Sequence, residues 1–131
     1  VVALSVRVLV VEDSSAMRAF VRAALESDGD FDVIEAASGF EALRVLPRDR
    51  FDLAIVDINM PDINGLELVA FMRKTDPHKA TPIIVISTEA SERDRGRALG
   101  LGANAFVAKP FTPESLLDAV TAVREAKATG A

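Results

Sequence analysis

Short apolar runs alternate with amphipathic stretches along the chain. The runs are Val6–Val11, Phe31–Ala36, Phe51–Val56, Pro82–Ser87 and Asn104–Ala108. "VRVLVV", "FDLAIV" and "PIIVIS" are nearly continuous in apolar side chains, the pattern of strands buried on both faces of a parallel sheet. "FDVIEA" carries Asp32 and Glu35, as an edge strand does. Between the runs the period changes. Met17, Phe20, Val21, Ala24 and Leu25 recur at helical spacing, and Leu116, Val120 and Val123 form a similar stripe near the end. Ser38-x-x-Glu41 resembles a capping box, and Thr112 before Pro113 has the form of an N-cap with proline at the first helical position. The glycines of "GLGAN" fall where the fourth helix should stop. The alternation predicts one doubly wound α/β domain over residues 1–131, with a core from about residue 6 to 124, right-handed crossovers and helices on both faces of the sheet.

The bulk numbers narrow the function. A chain of 131 residues, 50% hydrophobic and 27% charged, has the makings of a globular domain with its own core. The net charge of −5 argues against a polyphosphate partner, so no direct contact with nucleic acid is expected. With no cysteine, disulfides and thiolate metal sites are excluded. The apolar runs are far too short for a membrane span, and "VVALSVRVLVVE" lacks the charged start and cleavage site of a signal peptide. The single histidine, His78, sits in the polar stretch "TDPHKAT" and is expected to lie outside the chemistry.

In doubly wound folds, ligands sit outside the carboxyl ends of the strands. Glu12 and Asp13 follow the first run. Asp57 follows the third, with Asn59 two places on. Ser87 and Thr88 stand at the end of the fourth, and Lys109 follows the fifth. Carboxylates held close together cannot all stay ionised without compensation. A hard divalent cation resolves this: Mg²⁺ prefers oxygen ligands, takes one or two carboxylates and accepts phosphate oxygens. The hydroxyl and the ammonium opposite also suit phosphate. Simpler roles stand beside these. Asp13 before "SSAM" is placed to cap a helix, Thr88 competes with Ser87, and Phe106 on the fifth run can be plain core.

At these residues the sequence resembles a known family. "VLVVEDS", "DINMPDING", "VIST" and "AKPF" are similar to the four signatures of the response-regulator receiver domain, and the likeness runs from about Val6 to Arg124. It is nearest to the stand-alone chemotaxis members, with Asn-Met-Pro after the acceptor and Glu two places after the hydroxyl. The resemblance implies a flavodoxin-like, CheY-like (βα)5 fold with a parallel sheet in the order 2-1-3-4-5; that chemotaxis protein is itself the standing example of this order.

The resemblance also implies roles. Asp57 would be phosphorylated from a histidine of a partner kinase or phosphotransfer protein. Asp13 and Asp57 would hold Mg²⁺ through carboxylates, Asn59 through its backbone carbonyl and Glu12 through a water. Ser87 and Lys109 would bind phosphoryl oxygens and, with Asp57, carry the chain's own phosphorylation and dephosphorylation. Ser87 and Phe106 would be the switch. Phe106 lacks the hydroxyl of the tyrosine often found there. Asn59 and Glu89 would tune hydrolysis, giving a signal of seconds to minutes. A cis peptide is implied at Lys109–Pro110. The output surface would be the fourth helix, fifth strand and fifth helix, docking a protein effector in the cytoplasm. The fourth helix, "SERDRGRALG", is rich in charge, contains Gly96 and has few apolar anchors (Ala90, Ala98, Leu99 and Leu101), so it should open more readily than the first or fifth.

Other functions fit less well. A haloacid-dehalogenase-like phosphatase places Asp-x-Asp after its first strand; this chain has "EDSS". A pseudo-receiver that binds partners without phosphorylation would lack an acid, the hydroxyl or the lysine, and none is missing. A flavin carrier would want a glycine- and hydroxyl-rich first loop and aromatic residues to sandwich the ring, whereas this chain has no Trp or Tyr.

Overall fold

The computed structural model describes residues 5–88 and 92–129. The apolar runs form parallel strands β1 (Val6–Val11), β2 (Phe31–Ala36), β3 (Leu53–Asp57), β4 (Ile83–Ser87) and β5 (Ala105–Ala108). They pair in the order β2-β1-β3-β4-β5. The helices are α1 (Ser15–Asp28), α2 (Gly39–Val45), α3 (Gly65–Lys74), α4 (Glu92–Gly100) and α5 (Pro113–Ala128). This is the flavodoxin-like arrangement the resemblance implied.

Two strands begin as the pattern predicts, and the other three start later for identifiable reasons. Asp52 is tied laterally to β1: its carboxylate accepts from the Arg7 N–H at 2.9 Å, and its own N–H donates to the Arg7 carbonyl at 2.8 Å. Pro82 has no N–H for the ladder, though its carbonyl accepts from Ala54 at 2.9 Å. Asn104 is tied to β4 as Asp52 is to β1: its N–H donates to the Ile83 carbonyl at 2.8 Å, and its side-chain oxygen, rather than a backbone carbonyl, accepts from the Ile83 N–H at 2.8 Å. The other difference is at the far end of β3, which takes in Asp57 itself.

All residues of β3 and β4 are buried, as expected for central strands covered on both sides. Alternate side chains feed two layers. Val8, Val10, Ile55, Ile84 and Ile86 meet Val21 and Leu25 of α1 and Leu116 and Val120 of α5. Leu9, Val11, Val56, Ile83 and Val85 meet Leu66, Val69 and Met72 of α3 and Ala98 of α4. Each such large side chain withdrawn from water contributes roughly 1.5–3 kcal/mol.

The caps follow the sequence signals with one shift. Ser38 Oγ accepts from the Glu41 N–H at 3.1 Å, but the Glu41 carboxylate returns to the Ala37 N–H at 3.1 Å rather than to Ser38. The reciprocal box is at α5, where Thr112 and Ser115 exchange bonds of 3.1 Å. Gly102, with φ of 115°, ends α4: its N–H donates to Leu99 and that of Ala103 to Ala98, a Schellman pattern.

His78 lies outside the acidic cluster, as expected, but it is packed inward despite its polar neighbours in sequence. It is 1% exposed, with Nε2 2.6 Å from the Leu46 carbonyl oxygen and its ring beside that of Phe51. It precedes β4 and so packs at the amino end of the sheet, away from the strand ends that carry the acids. Among the described residues no helix is long and apolar enough to cross a membrane.

Candidate functional site

Parallel strands all end at one edge of the sheet. The register Val11↔Val56 sets the residues after β1 beside the end of β3. Glu12 and Asp57 are buried there, 1% and 3% exposed, while Asp13 is exposed. Each of the three offers a carboxylate oxygen, and these atoms lie within 4.8 Å of one another. Asp13 does not cap the helix that follows. That role belongs to Ser14, whose hydroxyl accepts from the Met17 N–H at 3.2 Å.

Lys109 follows β5, and its peptide to Pro110 is cis. Its ammonium donates to Glu12 Oε1 at 2.5 Å and to Asp57 Oδ1 at 3.2 Å. Its backbone N–H donates to the Ser87 carbonyl at 2.8 Å, which locks the turn after β5 to the end of β4. Ser87 is fully buried; Thr88 is exposed. The register Asp57↔Ile86 puts Ser87 one step beyond the acceptor on the adjacent strand. Of the two hydroxyls, Ser87 is therefore the one inside the sheet edge.

The electrostatics follow from burial. Desolvation pushes the Asp57 carboxyl above its ordinary value, and the Lys109 charge and hydrogen bond and the Asn59 backbone N–H pull it back only in part. Desolvation also raises Glu12, against the pull of its hydrogen bonds from Lys109 and Ser14. Burial works to lower Lys109, but its bond to Glu12 and the Asp57 charge outweigh it and hold the ammonium above its usual range. Two buried carboxylates thus share one ammonium, with the exposed Asp13 carboxylate beside them. An all-oxygen donor set of this charge fits a hard divalent cation such as Mg²⁺.

The remaining predicted residues lie as follows. Asn59 is exposed, and its N–H points back to Asp57. Phe106 is 9% exposed, packed inward in the buried cluster that includes Val85, its register partner, and Ala98. Glu89, like Ala90, lies outside the described residues.

Some residues that shape the site carried no role in the sequence reading. Gly65 opens α3, and its N–H donates to the Ile58 carbonyl at 2.8 Å; a Cβ there would overlap the Asp57 carbonyl oxygen and come within 2.9 Å of Ile58 Cα. The loop after the acceptor closes back onto it only because this position has no side chain. Its signal was present as the glycine ending "DINMPDING". Asp62, in the same loop, accepts from the N–H groups of Gly39 and Phe40 at 3.1 and 2.9 Å, bonds that hold its carboxyl below the usual range. It ties the acceptor loop to the start of α2. Arg18 reaches the backbone of Glu12 and Asp13 from α1.

The fold, the buried aspartate and its flanking groups define a class, and comparison with known proteins agrees. The chain belongs to the response regulator receiver domain family, which it matches over residues 8–121. It is CheY-like, a module of two-component signalling. A chemotaxis protein CheY homolog of Campylobacter jejuni is 40% identical over 111 residues, covering 84% of this chain and 85% of that protein. The chemotaxis response regulator CheY4 of Vibrio cholerae is 37% identical, with a TM-score of 0.86 over 92% of this chain and 99% of its own. The receiver domain of the sensor histidine kinase PA1611 of Pseudomonas aeruginosa is 28% identical, with a TM-score of 0.84 over 93% of this chain and 99% of its own. Its structure has a magnesium ion coordinated in the active site cleft.

Proposed function

We propose that the chain is a phosphoacceptor that takes a phosphoryl group from a histidine kinase or phosphotransfer protein onto Asp57. The observation that carries this reading is the buried Asp57 carboxylate, held between two further acids and the Lys109 ammonium 3.2 Å away. An Asp57 carboxylate oxygen attacks phosphorus. The bond from phosphorus to the partner's imidazole nitrogen breaks, and its electron pair stays on that nitrogen. Chemistry of this kind asks the protein for positioning and charge stabilisation more than for covalent participation.

Asp13 and Asp57 would hold Mg²⁺ through their carboxylates, Asn59 through its backbone carbonyl and Glu12 through water. Bound there, the ion supplies charge neutralisation for the phosphoryl oxygens and the carboxylates together. Lys109 pairs with one phosphoryl oxygen, and the Ser87 hydroxyl donates to another. The phosphoryl group carries roughly 1.5–2 negative charges at neutral pH in place of the single carboxylate charge, and it places that charge further out, so Lys109 and Ser87 are drawn toward it. Because Lys109 and Ser87 are tied through backbone, this pull is felt at the ends of β4 and β5 together. Phe106 and α4 respond, and the surface of α4, β5 and α5 changes its fit to a protein effector. Water attack on the acyl phosphate then resets Asp57, at a rate tuned by Asn59 and Glu89 and on a scale of seconds to minutes. The whole of residues 1–131 acts as a single receiver unit.

Incubation with Mg²⁺ and a small phosphodonor such as acetyl phosphate, followed by intact mass, tests the reading. One phosphoryl adduct is expected, lost with chelator and lost in Asp57→Asn. Continuous turnover of generic phosphomonoesters would indicate a phosphatase instead. No adduct and no turnover would indicate a phosphorylation-independent interaction module.

A further inference from the structure

The segment that carries Glu12 and Asp13 leaves the sheet just where two of the acids sit. The Glu12 N–H makes a bond from this segment to β2, 3.1 Å to the Ala36 carbonyl. The carbonyls of Glu12 and Asp13 lie past that bond, and Arg18 takes both. Its Nη1 donates to Glu12 O at 2.7 Å and to Asp13 O at 3.2 Å. Its Nε donates to Glu35 Oε1 at 2.9 Å. Glu35 is held from its other side by Arg22, whose Nε donates to Oε2 at 2.6 Å and whose Nη2 donates to the Val33 carbonyl at 3.1 Å. Register brings Glu35 to this place, opposite Val10 and two residues short of the site.

Arg18 stands near the start of α1, where the helix dipole disfavours a cation and no acid sits in the first turn to offset it. Its side chain is only 16% exposed. A planar guanidinium serves two carbonyls and a carboxylate at fixed angles, which a point-charge ammonium does not. The charge on edge strand β2, which sequence alone suggests is there to discourage edge pairing, thus has a specific partner.

We propose that Arg18 is a positioning residue for the metal and phosphoryl site. It fixes the carbonyls of Glu12 and Asp13 so that both side chains face Asp57, and Glu35 holds the guanidinium in that pose. This rests on the reading that the acids bind Mg²⁺. Arg22 provides the internal control, because it shares Glu35 and the same helix but touches no residue of the site.

The test is Mg²⁺ titration by calorimetry on the unphosphorylated full chain, with acetyl phosphate uptake measured across Mg²⁺ concentrations. Arg18→Ala is expected to weaken Mg²⁺ binding about fivefold or more and to raise the Mg²⁺ concentration that half-saturates uptake by a similar factor. Glu35→Gln should weaken binding less, and Arg22→Ala should leave it within about twofold of wild type. Arg18→Lys keeps the charge and should not restore affinity. Amide exchange on the metal-free chain gives a second readout: Asp13, Ser14 and Ser15 should exchange faster in Arg18→Ala and not in Arg22→Ala. Wild-type affinity in Arg18→Ala, full rescue by Arg18→Lys, or equal losses in Arg18→Ala and Arg22→Ala would each overturn the proposal. If wild type itself fails to bind Mg²⁺, the reading of the site fails, and amide exchange still decides whether Arg18 orders the loop.

Discussion

The Lys109 ammonium stands between two buried carboxylates, at 2.5 Å from Glu12 and 3.2 Å from Asp57, and its side chain is 12% exposed. Removing one partner of such a buried arrangement leaves uncompensated charge, a loss of about 3–5 kcal/mol where burial is complete. Lys109→Ala is therefore expected to lower the Tm of the metal-free chain and to enlarge the stabilisation that Mg²⁺ gives, since the ion no longer competes with an ammonium. Melting curves with and without Mg²⁺ check this; equal shifts in variant and wild type would contradict it. Proton competition has a definite sign. Burial raises Glu12 and Asp57 above ordinary carboxylates, so protons displace Mg²⁺ from a higher pH than exposed acids near pH 4 would allow. Because the folded values are raised, the metal-free fold binds more protons than the unfolded chain and gains stability from these two groups as pH falls through their folded values. Mg²⁺ affinity should fall over that same window, which titration at a series of pH values would show. At this scale the acids, Ser87 and Lys109 were legible because a strand-end position is itself a signal. Arg18 was not, since its role depends on register between β1 and β2; Gly65 stood in view at the end of "DINMPDING", but its role depends on how that loop closes.

Among the helices, α4 has the weakest hold on the core. Ala98 is its one buried residue, whereas α1 buries Val21, Ala24 and Leu25 and α5 buries Leu116, Val120 and Val123. Leu99 and Leu101 are each 40% exposed. Amide exchange should show α4 opening with the lowest free energy of the three, and equal protection would refute the idea. Gly96 offers a direct manipulation, because a Cβ there meets nothing within 4 Å. Gly96→Ala should stabilise the helix by about 1 kcal/mol and slow its exchange without altering phosphoryl uptake. The elements themselves were readable wherever period was strong: β1 and β2 fall where the pattern put them. The later starts of β3, β4 and β5 came from lateral ties and a missing N–H at Asp52, Asn104 and Pro82, which periodicity does not report.

Across the whole molecule, stability and chemistry occupy different regions. The two apolar layers flank the sheet, and the acids lie along its carboxyl edge. Leu25→Ala, deep in the layer between the sheet, α1 and α5, should cost about 2–5 kcal/mol and lower Tm while leaving uptake per folded molecule unchanged. Uptake lost in proportion beyond the unfolded fraction would contradict that separation. The doubly wound topology was legible from five alternations of pattern. The inward placement of His78 was not, because polar neighbours in sequence say nothing of the Leu46 carbonyl and Phe51 ring that receive it.

Asp57 is the proposed nucleophile, and borohydride trapping reads out the acid that carries the phosphoryl group. Reduction of an aspartyl phosphate yields homoserine, which peptide mass mapping locates to a single position. After reaction with acetyl phosphate and Mg²⁺, conversion is predicted at residue 57 alone, and none when Mg²⁺ is chelated. Homoserine at another acid, a phosphoryl group stable on a hydroxyl, or an unmodified residue 57 would contradict it.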